Sequence, residues 1–181
     1  MKKFLITLLI AHCGLFIAPA AAHRECISCQ FAGFYQTIDD EANKPKSIVA
    51  LYHYGTGDEE RLGGRVVALY GDDGKVSETL KAPIKKADKI KGAPFMSGLD
   101  IIWNMKLDDG EYRGGKIMDP KSGKVYSSVM WKEKGELDKL RVRGKIGPFG
   151  RTQTWNVLKP TALPKDLQKL DMTKWTPKTD D

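Results

Sequence analysis

Residues 114–158 constrain the fold most, because they form four short alternating runs separated by turn signals. Within this stretch, residues 119–123 (DPKSG) form a turn in which Pro presets φ and Gly supplies a positive φ. Between 140 and 146, apolar residues alternate with cationic ones, which is the pattern of a half-buried strand. Residues 148–150 (PFG) then turn the chain into a last run. This stretch therefore predicts an all-β fold, a closed or strongly curled antiparallel sheet.

Five β-prone runs begin before residue 114, the last of them continuing into this stretch as its first run, and each ends in a Gly- or Asp-rich turn. They cover residues 33–37, 47–54, 61–70, 99–106 and 111–118. The first three follow one another closely enough for a meander of antiparallel strands.

Residues 76–97 interrupt the strand pattern. The segment carries five lysines, and Ile84, Ala87 and Ile90 have helical spacing. Pro83 suits a first helical position and Gly92 a helix end. We therefore predict a short basic helix inside a long connection, a type of loop that often serves as a lid or binds ligands.

The two ends of the chain lie outside the predicted barrel domain, which spans residues 23–158. Residues 1–22 have the basic start, apolar middle and Ala-rich end of a secretory signal peptide, which predicts a periplasmic or secreted protein cleaved near Ala22. The rival interpretation is a lipoprotein acylated at Cys13. Residues 159–181 form a Pro- and Lys-rich tail, which Trp175 is expected to attach to the barrel.

The chain is basic, and its net charge falls from +7 to +5 once the two lysines of residues 1–22 are removed. This modest excess favours attraction to an anionic envelope component. The sequence has no aromatic RNA-binding signature, zinc-finger spacing or basic DNA-reading helix, so we predict no nucleic-acid partner.

Cys26 and Cys29 remain after signal cleavage, and in an oxidising compartment this Cys-x-x-Cys pair is most simply a local disulfide. A redox pair, a haem attachment and a zinc site are weaker alternatives. The thioredoxin-like context is missing, Gln30 stands where haem attachment needs a histidine, and zinc would need two more ligands. Pairing between two chains is also left open by the sequence.

The sequence predicts no enzyme, no cofactor and no metal site. Only His23 and His53 could act as imidazole bases after cleavage, and no nucleophile-elbow signature accompanies them. The Asp-Asp pairs at 39–40, 72–73 and 108–109 lie in turns, where Asp bonds its own backbone.

Large side chains on alternating strand positions are the candidate pocket. We predict that five residues line a ligand site, namely Tyr52, Trp103, Met105, Tyr126 and Trp155. The alternative is that they form an ordinary packed core, since small barrels can also be filled by side chains.

Two outward-facing surfaces are predicted on neighbouring strands. Arg141, Arg143 and Lys145 form a solvated outer stripe; if they pointed inward, the cavity would be cationic. The strand of residues 125–131 is apolar on both faces, which indicates a covered outer face or a homo-oligomer contact.

Several motifs together resemble a bacterial exported family catalogued as domain of unknown function 2147. The motifs are TIDD at 37–40, KPKSIV at 44–49, GGKIMDPKSGKVY at 114–126, RG at 143–144 and GRTQTW at 150–155. The resemblance implies a lipocalin-like (calycin-type) antiparallel β-barrel enclosing a cavity. No enzymatic activity is established for the family, so it implies fold more strongly than function.

The resemblance also assigns a structural pair and shows two departures. By analogy with lipocalin-like barrels, Arg151 on the last strand would cover Tyr35 on the first strand and close the base of the barrel. The family commonly has Trp where Tyr35 stands, and many members carry a Cys-x-x-Cys in the long loop that residues 87–92 lack.

The functional prediction is an exported, lipocalin-like protein that binds a small apolar or amphipathic ligand, and this ligand could be anionic. The alternative is a non-enzymatic cell-envelope interaction module with a filled barrel and a basic binding surface.

Overall fold

The computed structural model describes residues 27–39 and 41–179. The predicted signal peptide, Cys13 and Cys26 lie outside the described residues. The strands in chain order are β1 (Gly33–Asp39), β2 (Lys44–Tyr54), β3 (Arg61–Tyr70), β4 (Val76–Thr79), β5 (Asp100–Asp108), β6 (Glu111–Met118), β7 (Val125–Trp131), β8 (Lys139–Ile146) and β9 (Phe149–Leu158). Short 3-10 helices occupy Ser28–Gln30, Gly57–Glu59 and Pro160–Ala162.

Eight of these strands close into an antiparallel barrel. Chain neighbours pair from β1 to β3 and from β5 to β9, β3 pairs with β5, and β9 returns to β1. In the closing pair, Tyr35 lies opposite Val157. The short β4 pairs with β3 beside the ring of eight. The prediction of an all-β, lipocalin-like barrel is confirmed.

Strand β2 is apolar on both faces because both are covered. Val49 and Leu51 belong to the cluster inside the barrel, whereas Ile48 and Ala50 belong to a second cluster on the outside. The C-terminal tail supplies the cover, with the buried Leu163 and Leu167 in the outer cluster. The tail thus removes apolar surface of the barrel from water, which stabilises the fold.

A buried ion pair fixes the far end of the tail. Asp100 on β5 is 2% exposed and accepts two hydrogen bonds from the Arg65 guanidinium, at 2.9 and 2.8 Å, and one from the Tyr52 hydroxyl at 2.7 Å. The backbone N–H of Lys178 donates to the same carboxylate at 2.9 Å. Burial, together with the neighbouring Asp100, raises the pKa of Tyr52, so this hydroxyl remains a donor.

Trp175 completes this attachment, as expected of a tail that packs on the barrel. Its ring packs edge-on against Tyr52, with centroids 5.2 Å apart, and the Arg65 guanidinium lies 4.4 Å from its centroid. The cation–π contact and the ion pair share one arginine, so the tail and the barrel wall are held by the same group.

The helix predicted within residues 76–97 is not formed. The segment begins as β4 and continues as turns and two isolated bridges, Thr79–Ala82 and Lys86–Phe95. Its amides bond across the loop, since the N–H of Ala87 donates to the Pro94 carbonyl and that of Met96 to the Lys85 carbonyl. Helical spacing in the sequence was therefore overridden by tertiary hydrogen bonds.

The backbone of β5 lies so close to Gly115 that no side chain fits at this position of β6. A Cβ on Gly115 would lie 2.4 Å from the Trp103 carbonyl oxygen and 2.6 Å from the Met105 nitrogen, whereas one on Gly144 would meet only side-chain carbons at 3.5 Å or more. We expect Gly115→Ala to lower the free energy of unfolding by about 1–3 kcal/mol and Gly144→Ala to change it much less. Urea denaturation of the two variants checks this, and equal losses would contradict it.

Candidate functional site

The candidate site is a cavity of about 1100 Å³ that opens at one end of the barrel. Four inter-strand turns surround the opening, at 39–44, 71–75, 119–124 and 146–149, and residues of the 80–98 loop also line it. The opposite end contains the N-terminal 3-10 helix and is packed with side chains.

Apolar side chains form one continuous part of the cavity wall, and polar residues such as Thr37, Ser47 and Gln153 form the rest. The apolar lining residues are Val66, Leu69, Met96, Ile101, Ile117, Met118, Val142 and Trp155. Trp155 is buried in the interior core cluster as well as lining the cavity, and its indole N–H donates to Gln153 at 3.2 Å. Trp155 forms the inner end of the cavity, because the core residues packed against it fill the barrel from there to the closed end.

The closed end is filled by aromatic and aliphatic side chains. Phe31 meets Tyr112 edge-on with centroids 4.9 Å apart, and the Tyr35 hydroxyl donates to the Phe31 carbonyl at 2.9 Å. Burial raises the pKa of Tyr112 to about 12. This plug leaves the turn-lined end as the entrance to the cavity.

Charged side chains of both signs surround the entrance. The cations are Lys44, Lys46, Lys85, Lys121 and Arg151, and the acids are Asp39, Glu41, Asp72, Glu78 and Asp119. Several acids have structural partners. Asp39 accepts hydrogen bonds from two backbone amides and lies 3.8 Å from both the Lys46 and the Lys121 ammonium, and these contacts, the amides first, lower the pKa of Asp39.

Glu78 fixes the loop at the entrance. The carboxylate is 5% exposed and accepts hydrogen bonds from the Ile84 and Lys85 amides, at 2.9 and 2.6 Å, and from the Ser97 hydroxyl at 2.6 Å. The loop therefore closes on a buried carboxylate. Glu78 was not among the predicted site residues, because residues 76–79 (VSET) contain one apolar residue only and show no alternation that would mark an inward carboxylate.

The structure divides the five predicted pocket residues. Tyr126 and Trp155 line the cavity. Met105 is fully buried in the interior core cluster but does not line the cavity. Tyr52 lies outside the barrel, against Trp175 and Asp100.

Trp103 is also outside the cavity, because β5 does not alternate regularly. Trp103 pairs with the exposed Lys116, whereas Ile102 pairs with the cavity-lining Ile117. Asn104 has a φ of +57°, which breaks the alternation between Trp103 and Met105. Trp103 and Met105 therefore lie on opposite faces of β5, although they stand at alternating positions in the sequence.

The expected Tyr35–Arg151 pair is not formed. Tyr35 is opposite Val157 on β9, six residues or about 20 Å along the strand from Arg151, which lines the entrance. The cation over the Tyr35 ring is Lys132, 5.6 Å from its centroid. Arg151 thus belongs to the open end of the barrel and not to its base.

The alternating cations of β8 lie on the outer face. Val142 and Gly144 line the cavity, so their neighbours Arg141, Arg143 and Lys145 point outward. Arg141 donates to Thr154 and also, at 2.6 Å, to Glu136. The cavity therefore gains no charge from this stripe.

Catalytic and metal-binding arrangements were sought throughout residues 27–39 and 41–179. No group of three His, Cys, Asp or Glu side chains there is arranged to hold a metal ion. His53 lies near the closed end, 3.2 Å from both Glu60 and the Ser28 carbonyl. Cys29 is disulfide-bonded, and its partner falls outside the described residues. None of the helices described is long and apolar enough to cross a membrane.

Comparisons with known proteins agree with this architecture. No curated protein matches the chain. A solved structure of protein HP1028 from the human pathogen Helicobacter pylori, described as belonging to the lipocalin family, is similar with a TM-score of 0.52 and 20% sequence identity. The alignment covers 71% of this chain and 82% of that one, and at this identity it supports the fold alone. A family model described as "uncharacterized protein conserved in bacteria", domain of unknown function 2147, matches residues 33–157, and the chain therefore belongs to this lipocalin-like bacterial family.

Proposed function

We propose that this protein is a binding protein whose barrel holds one small amphipathic molecule, with the apolar part inside and the polar end at the entrance. The open cavity of about 1100 Å³, with a group of apolar side chains inside and charged side chains at its entrance, is the observation that carries this proposal. Ligand sites typically have volumes of this order, apolar walls and a few polar groups that orient the ligand.

We infer that the polar end of the ligand is anionic. Lys85, Lys121 and Arg151 all line it, and these cations come from three different segments of the chain. Of the acids there, Asp39 and Glu78 already accept hydrogen bonds from backbone amides. A carboxylate or phosphate ligand would form charge-assisted hydrogen bonds with these cations.

The proposal includes export and excludes catalysis by this chain. Export rests on the signal-peptide pattern of residues 1–22. The filled-barrel alternative requires a fully packed interior, whereas side-chain packing in the described barrel continues from the closed end only as far as the cavity.

A titration tests the binding function. Delipidated protein should bind palmitate saturably at micromolar concentration, with a change in Trp emission because Trp155 lines the cavity. Gly144→Leu should weaken binding by at least tenfold, because a side chain at Gly144 projects toward the cavity-lining Ile117 and Tyr126. Thr152→Leu is the matched control, since Thr152 is exposed and alternates with the cavity-lining residues of β9.

Two results would contradict the proposal. The first is the absence of saturable binding of both palmitate and a lysophospholipid to correctly folded protein. The second is binding that Gly144→Leu and Thr152→Leu reduce equally. The first result would refute the binding function, and the second would place binding outside the cavity.

A further inference from the structure

Exposed large apolar side chains are concentrated at the open end of the barrel. In the described ranges these open-end residues are Ile84, Phe95, Val125, Ile146 and Phe149. The other exposed large hydrophobic residues are Ile27, Leu137 and Val157. Folding buries most large apolar side chains, so a group of them around a cavity entrance indicates contact with something apolar.

The β8–β9 turn is the most exposed part of this group. Ile146 and Phe149 pair at its tip and are 60% and 80% exposed, and Gly147 supplies the positive φ that the turn requires. The surrounding residues 141–151 include four cations and no acid. The β8–β9 turn therefore places two exposed apolar side chains, flanked by cations, beside the entrance.

The 80–98 loop repeats this combination on another segment of the entrance. Ile84 is 70% exposed, and Phe95 is also exposed, with the Lys86 ammonium 5.7 Å from its ring centroid. Residues 81–91 contain five lysines and one aspartate. Both segments contribute lining residues to the same cavity, so the two apolar tips are held near one opening.

We propose that the open end of the barrel docks on the surface of an anionic lipid bilayer. Phe149, Ile146 and Ile84 would enter the boundary between headgroups and acyl chains, while the lysines of both segments would meet lipid phosphates. The cavity entrance would then face the lipid, so an amphipathic ligand could pass between membrane and barrel with little exposure to water. Only this transfer step rests on the proposed binding function.

The positions of the exposed apolar residues and the charges beside them favour a lipid surface over a protein partner. The apolar tips lie on separate segments around an opening, each with an excess of cations. The acidic turns at 39–44 and 71–75 lie elsewhere around the same opening. Docking through the two basic segments would tilt these acids away from the phosphates, so the orientation of the barrel on the membrane follows from its charge.

Vesicle co-sedimentation of the protein, purified as its host processes it, tests the proposal. We expect binding to phosphatidylcholine vesicles that contain phosphatidylglycerol, and much weaker binding to pure phosphatidylcholine vesicles. Replacing both tip residues, Ile146→Ser and Phe149→Ser, should lower the partition coefficient at least about tenfold. The pair Lys85→Gln and Lys86→Gln should lower it by about fivefold per lysine.

The matched control is Leu137→Ser, which removes an equally exposed apolar side chain from the β7–β8 connection at the closed end. It should leave vesicle binding unchanged. Circular dichroism of every variant should show the same β-sheet content, because all the substituted side chains are exposed.

Three outcomes would overturn the docking proposal. Palmitate binding in solution without any vesicle binding would refute docking and leave the binding function intact. Vesicle binding that persists after the tip substitutions would place the membrane contact elsewhere. Self-association that the tip substitutions abolish, without vesicle binding, would assign the surface to a second copy of the chain. Conversely, vesicle binding without palmitate binding would support docking and refute the binding function.

Discussion

The substitution Asp100→Ala is expected to lower the free energy of unfolding by about 3–5 kcal/mol, because it leaves a buried arginine without its counter-charge. Asp100 is almost fully buried and accepts hydrogen bonds from Arg65, Tyr52 and the Lys178 amide. The Arg65 side chain is itself largely buried beside Trp175. Losing the carboxylate therefore weakens the barrel wall and the tail attachment together.

Urea denaturation followed by circular dichroism measures this loss. Asp88→Ala is the matched control, since Asp88 is exposed on the 80–98 loop, and its effect should stay within about 0.5 kcal/mol. The double variant Arg65→Met, Asp100→Leu should recover part of the stability, because it removes both buried charges. Similar stabilities for Asp100→Ala and Asp88→Ala would show that the ion pair contributes little.

The substitution Glu78→Ala is expected to free the 80–98 loop and to raise its rate of tryptic cleavage by more than about tenfold. Three hydrogen bonds to a buried carboxylate are lost, and hydrogen bonds to charged groups contribute about 1.5–3 kcal/mol each. Local opening of the loop then costs less free energy, so its lysines reach the protease more often.

Limited proteolysis with mass spectrometry locates the cuts, which should follow lysines between positions 81 and 91. Glu41→Ala is the control, because Glu41 is an exposed glutamate that lines the same entrance. If the loop acts as a lid, Glu78→Ala should also speed dissociation of palmitate. Unchanged cleavage would mean that the two backbone bridges, and not Glu78, hold the loop closed.

Local sequence patterns determined the strands, because their signals lie within a few residues of one another. The alternation around Val142 predicted an inward apolar face and an outward cationic face, and β8 has both. The turn signals at 119–123 and 148–150 fall at or next to the ends of β6 and β9. Eight such strands with short connections favour closure of the sheet, and closure leaves no unpaired edge within the ring.

Contacts distant in sequence decided which residues form the cavity. Tyr52 alternates like an inward residue, yet the outer face of β2 is equally apolar because the tail covers it. The family resemblance predicts that Arg151 covers Tyr35 at the base of the barrel. The register between β1 and β9 instead places Arg151 at the entrance. Register depends on the whole ring of strands, so no local pattern could fix it.

The sequence by itself determined that this chain forms an all-β barrel with a basic connection between its third and next barrel strands. Only the tertiary structure decided that the connection is a loop held by Glu78, that Trp103 lies outside the cavity, and that the Trp175 ring packs against the Arg65 guanidinium. The physical reason is distance along the chain. Alternation and turn propensity act over a few residues, whereas a buried carboxylate, a positive φ at Asn104 and a docked tail take effect only once the barrel has formed.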